Sequence, residues 1–117
     1  QEKDGTHKRV VFRKAGAFME QQIDYAERAA LLKALAHPLR LQLLHGLLHT
    51  GCHNVGCMEH LTGVSQSCIS QHLQKLRMMG LVSAERSGNE VYYRASSPEA
   101  ARLVAVLMGE EASSYAL

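Results

Sequence analysis

The stretch Val55–Arg94, VGCMEHLTGVSQSCISQHLQKLRMMGLVSAERSGNEVYYR, constrains the fold more than any other part of the chain. Asn54 suits the N-cap of a short helix from Val55 to about Thr62, because its side-chain oxygen can accept an orphan backbone N–H. Gly63 supplies a turn and Val64 an apolar plug beneath it. Ser65 can cap the next helix, Gln66 to Met79, in which Ile69, Leu73 and Leu76 fall on one face and predict the buried side. Gly80 closes that helix. Leu81–Ala84 and Val91–Arg94 then alternate as strands around Ser87-Gly88-Asn89, a turn-forming tip. Helix, tight turn, polar second helix and charged hairpin predict a winged helix-turn-helix, a layout that places side chains of the second helix in a DNA major groove.

The flanks read as helical. From about Ala17 to Ala36 the residues Phe18, Ile23, Ala26, Ala30, Leu31, Ala34 and Leu35 predict a first helix. His37-Pro38 ends it, since the residue before a proline avoids the helical region. Pro38 suits the first turn of the next helix, Leu39 to about His49, where Leu41, Leu43, Leu44, Leu47 and Leu48 give a wide apolar face. Gly51 is its expected stop. Ser97-Pro98-Glu99 opens a last helix that runs through Leu103, Val106 and Leu107 to about Ala112. The expected fold class is mainly α with a small β-hairpin wing. Residues 1–16 are expected to be a basic N-terminal arm, frayed as chain ends commonly are, and residues 17–115 the winged helix-turn-helix domain.

A chain of 117 residues has room for one core. Aromatic residues are only 5%, so that core must be aliphatic. The formal charge of +2 does not by itself point to nucleic acid, but Lys3, Lys8, Arg9, Arg13 and Lys14 crowd the first fourteen residues. No apolar run reaches the roughly 18 residues needed to span a bilayer, and the charged N-terminus lacks the apolar segment of a signal peptide. An odd number of cysteines fits a reducing cytosol better than a disulfide scaffold. A cytoplasmic location without membrane partners is expected.

Three segments resemble the ArsR/SmtB family of bacterial winged-helix repressors: LLKALAHPLRLQLL (Leu31–Leu44), VSQSCISQHLQKLRMMGLV (Val64–Val82) and the wing ending VYYR (Val91–Arg94). The resemblance implies a homodimer joined by its first and last helices, with two recognition helices entering successive major grooves of double-stranded operator DNA. It also implies a repressor released by an inducer. The apolar residues Phe18, Ile23 and Leu31, with Leu103, Val106 and Leu107, form stripes that one small domain cannot bury alone.

Gln66, Ser67, Ser70 and Gln71, near the start of the recognition helix, are the candidates for reading base edges, since Gln can pair bidentately with adenine and Ser can donate or accept. Lys75, Arg77, Arg86 and Arg94 are the candidates for phosphate contacts. His72 is expected to pack with a hydrogen bond, and Cys68 to pack. Arg40 could bind a phosphate or pair with a carboxylate.

The inducer has more than one reading. The family's metal sensors use a Cys-x-Cys pair before the recognition helix, or Asp, His and Glu along the last helix. This chain has neither in full: the acids Glu99, Glu110 and Glu111 are too few for a zinc site without ligands imported from elsewhere. Cys52, His53, Cys57 and His60 lie close in sequence, and all can bind borderline metals. Redox sensing through the thiols of Cys52 and Cys57 is the preferred reading; a metal or metalloid site using Cys52, Cys57 and His60 is the alternative. Incidental cysteines are a third. No cofactor is expected. A thiol enzyme built on Cys57 and His60 finds no oxyanion motif and no second domain, so the chain is not expected to be an enzyme. A protein-interaction module that has lost DNA binding would more often show apolar anchors than the polar row Gln66, Ser67, Ser70 and Gln71.

Overall fold

The computed structural model describes residues 8–14, 17–51 and 53–117, which fall into two compact units, residues 1–33 and 34–117. In the first, β1 (Lys8–Lys14) pairs antiparallel with β2 (Ala17–Ile23), in the register Lys8↔Ile23 to Lys14↔Ala17. Helix α1 (Tyr25–Leu35) follows, its last two residues, Ala34 and Leu35, belonging to the second unit. The expected helical start at Ala17 is therefore wrong. The spacing between Phe18 and Ile23 is filled by Met19-Glu20-Gln21-Gln22, and Lys8–Lys14, rich in Val and Phe, supplies a partner strand. Helix begins only where Asp24 can accept the Glu27 N–H, at 3.0 Å. Phe18 and Ile23 thus lie on a strand, outside the helical stripe assigned to them. The basic arm expected at residues 1–16 ends inside this hairpin, and Lys3 lies outside the described residues.

The second unit holds α2 (Pro38–Thr50), β3 (His53–Asn54), α3 (Val55–Thr62), α4 (Gln66–Met78), β4 (Val82–Ser87), β5 (Glu90–Ala95) and α5 (Pro98–Met108). Pro38 occupies the first turn of α2, and His37 Nδ1 accepts the Leu39 N–H at 3.1 Å, so an imidazole serves as the cap. The sheet order is β3-β5-β4. β3 was not expected; two residues are too short for any periodicity, but His53 and Asn54 pair with Tyr93 and Tyr92 and join the wing to the start of α3.

The core is aliphatic, as the composition requires. Leu44, Leu47, Leu48, Ile69, Leu73, Leu76 and Val104 are fully buried, each worth about 1.5–3 kcal/mol relative to exposure. Helix α5 stops at Met108, short of the expected Ala112, because Gly109 adopts the left-handed conformation (φ 68°) and turns the chain. Ala112–Ser114 form a single 3-10 turn, and Tyr115 is buried. The Ala116 N–H donates to the Leu48 carbonyl at 2.7 Å, which fixes this tail on α2. Among the described residues no helix is long and apolar enough to cross a membrane.

Candidate nucleic-acid interface

Helix α4 is amphipathic in a particular way. Ile69, Leu73 and Leu76 are each 0% exposed, so one face is locked into the core. Gln66, Ser67, Ser70, Gln71, Lys75 and Arg77 are all exposed on the rest of its surface. Its start is set by Ser65, whose hydroxyl accepts the Cys68 N–H at 3.3 Å. The turn from α3 needs a left-handed residue, which Gly63 supplies at φ 73° without a Cβ penalty. Val64, expected as a buried plug, is only half-buried.

Two links hold this helix from below and from the side. His72 is half-buried and does pack: its ring lies 4.3 Å from that of His37, and Arg40 Nη1 is 3.2 Å from its Nδ1. Arg40 Nε also donates to the Ala34 carbonyl at 2.5 Å, so Arg40 bridges the end of α1 and the middle of α4. Burial lowers the His72 pKa, and the nearby charges of His37, Arg40 and Lys75 push the same way. A neutral ring presents Nδ1 as an acceptor to the guanidinium, as the geometry requires. At the N-terminal end, Gln66 Nε2 donates to Glu59 Oε1 at 2.8 Å. Glu59 is a contact that sequence patterns gave no reason to single out.

The wing is tied to α3 through Asn54. Its Oδ1 accepts the Cys57 N–H at 2.7 Å, the expected cap, while its Nδ2 donates to Glu90 Oε1. Between α3, α4 and the wing lies an open cleft of about 480 Å³, lined in part by Asn54, Gln66, Ser70, Glu90, Val91 and Tyr93. Register decides where the wing's cations point. Arg86 pairs with Val91 and Arg94 with Ser83. Residues directly opposite share a sheet face and neighbours along a strand alternate, so Arg86 shares the face of Val91 and Tyr93, toward α4. Arg94 lies on the other face. The two-residue tip, Gly88-Asn89, places Gly88 at φ 66°, as a tight hairpin turn demands.

This helix–turn–helix with its wing matches the sequence model described as "Bacterial regulatory protein, arsR family" over residues 37–84. The nodulation protein NolR of Rhizobium meliloti is 39% identical over 88 residues, covering 75% of this chain and 71% of that protein. The biofilm growth-associated repressor of Xylella fastidiosa (strain Temecula1) is 41% identical over 81 residues, covering 69% and 70%. Among solved structures, HlyU of Vibrio cholerae N16961 superposes with a TM-score of 0.68 at 38% identity, covering 73% of this chain and 91% of that one. The chain belongs to the ArsR family. It is a DNA-binding transcriptional regulator and not an enzyme.

Of the inducer candidates of this ArsR-family chain, His53, Cys57 and His60 lie among the described residues. Cys57 and Cys68 are free and half-buried, and His60 is exposed. Cys52 lies outside the described residues. Among the described residues a three-ligand grouping is formed by His45, His49 and Glu110, of which sequence patterns singled out only Glu110. The two histidines stand four residues apart on the largely apolar α2, and their acidic partner lies 65 positions away from His45. The one available signal was the i, i+4 histidine pair.

Proposed function

We propose that the chain is a homodimeric repressor that reads operator DNA through paired α4 helices and is released by a chemical signal. The observation that carries this is the polar row Gln66, Ser67, Ser70 and Gln71, exposed on a helix whose opposite face is immobilised in the core. Gln66, Ser67, Ser70 and Gln71 read base edges. Gln66 first exchanges Glu59 for a base. Lys75 and Arg77, at the C-terminal turn of α4, and Arg86, on the wing face toward α4, meet phosphates; Arg94 meets them from the outer face. Such a protein works where the DNA is, in the cytoplasm.

Dimerisation is supported by α5, on which Val106 is 79% and Leu107 62% exposed. An apolar pair standing open on one helix is what a second copy would cover. The thiol reading of the signal keeps Cys57 as its reactive member, at the third position of α3, beside the Asn54 cap that joins α3 to the wing. A bond from Cys57 to Cys52, formed when a two-electron oxidant of the peroxide class removes a proton and an electron from each thiol, would pull on that joint. The chain name-mates of this family include the Xylella protein, itself termed a repressor. Selection of bound duplexes from a random pool by the reduced, metal-free chain tests the reading. A two-fold symmetric site supports it; enrichment of no sequence, together with capture of α4 by a protein partner, would favour an interaction module.

A further inference from the structure

The C-terminal half of α2 and the tail after α5 bring three ligating side chains to one point. His45 and His49 lie one helical turn apart and so share a face. Their Nε2 atoms are 3.0 Å from each other. Glu110 Oε1 is 2.9 Å from His45 Nε2 and 3.3 Å from His49 Nε2, and Glu110 Oε2 is also 3.3 Å from His49 Nε2. Two imidazole nitrogens at 3.0 Å form a hydrogen bond only if one of them gives up its proton. A cation between them would suit both as acceptors.

The spacing has a specific meaning. Metal–ligand bonds of about 2.0–2.1 Å at tetrahedral angles put neighbouring ligand atoms about 3.3 Å apart. The observed separations approach that value before any ion is considered. Side-chain exposures of 28% for His45, 48% for His49 and 31% for Glu110 leave a route from solvent to the cluster. The carboxylate is also held in place: Tyr115 Oη donates to Glu110 Oε1 at 2.6 Å. The Ala116–Leu48 backbone bond keeps the tail seated on α2.

We propose that His45, His49 and Glu110 form a site for a divalent transition cation of the zinc class, with Tyr115 orienting the carboxylate, and that its occupancy is a second signal, separate from the thiols, that weakens operator binding. Two imidazoles and one carboxylate are a borderline-soft set suited to zinc and its neighbours, not to calcium or magnesium. The coupling runs through α2. The same helix that carries His45 and His49 carries Arg40, which bonds His72 of the recognition helix. The site stands on its own geometry, whereas the coupling rests on the repressor reading.

The test uses the full chain, stripped with a chelator and kept reduced. Titration with Co²⁺ should give about one equivalent per chain, with the visible bands of tetrahedral cobalt and no intense sulfur-to-metal band. Zn²⁺ should displace it. His49→Gln and Glu110→Gln should each weaken uptake at least about tenfold, while Glu111→Gln leaves it unchanged. On a duplex selected with metal-free protein, Zn²⁺ should lower affinity about fivefold or more, and His49→Gln should abolish that response. Absence of saturable Co²⁺ uptake, undiminished uptake by both variants, or a thiolate band would overturn the site. Uptake with unchanged duplex affinity would overturn the coupling. If the metal-free chain selects no duplex, the repressor reading and with it the coupling fail, and the cobalt titration still decides the site.

Discussion

Arg40 Nη1 and His72 Nδ1 lie 3.2 Å apart across 32 positions of sequence, joining the start of α2 to the middle of the recognition helix. The bond requires His72 to be neutral, and its lowered pKa agrees, the cause being burial first and then the charges of His37, Arg40 and Lys75.

A pH dependence follows. Because the folded pKa of His72 lies below the unfolded value near 6.5, the unfolded chain binds more protons in the window below that value. Stability is then full above about pH 6.5 and is lost as pH falls through the folded pKa. His72→Gln keeps an acceptor for Arg40 and cannot titrate. The difference in urea midpoint between parent and variant should shift against the parent between about pH 7.5 and pH 5.5; a constant difference would contradict the neutral ring.

Arg40→Ala removes the bonds to both His72 and the Ala34 carbonyl. A loss on the order of 1–3 kcal/mol is expected in denaturant unfolding. Operator affinity should fall further than this stability loss alone would produce, because α4 loses a support without losing a reading residue.

Reading and positioning should separate by mutation. Gln71→Ala should lose discrimination at one or two base pairs, on the order of 1–3 kcal/mol. Lys75→Ala and Arg86→Ala should weaken all duplexes alike and reduce the salt slope by about one. Arg94→Ala should have less effect than Arg86→Ala, since the register turns it to the other face of the wing. Competition against single-base operator variants at two salt concentrations checks each outcome.

Val106→Glu should leave each protomer folded, because the side chain is 79% exposed, yet should split the dimer. Sedimentation velocity at micromolar concentration should show a dimer for the parent and a monomer for the variant. An unchanged dimer would move the interface off this part of α5.

Tyr115→Phe deletes the donor to Glu110 Oε1 while keeping the buried ring. Co²⁺ affinity should fall about 10–100-fold, the usual cost of removing a group that orients a metal ligand. Unchanged affinity would mean that Glu110 needs no such support.

The helix-turn-helix and wing were legible because each element carries its own boundary chemistry. Asn54, Ser65 and Ser97 each cap the helix that their residue type foretold, and Ile69, Leu73 and Leu76 alone mark the buried face of α4. Ala17–Ile23 misled because apolar residues at loose helical spacing also suit a strand when Val10, Val11 and Phe12 precede them. The Asn54–Glu90 and Arg40–His72 links, and the His45–His49–Glu110 cluster, join positions dozens of residues apart. Local periodicity carries no information about such pairings; only the folded chain brings them together.

Selection of duplexes by the reduced, metal-free full chain from a random pool, followed by affinity measurement at physiological salt, bears most directly on the function assigned to α4. The expected result is a two-fold symmetric site whose half-sites lie about one DNA turn apart. It should be bound at least about a thousandfold tighter than unrelated duplex, and that preference should fall in Gln71→Ala. Equal affinity for selected and unrelated duplexes would contradict it.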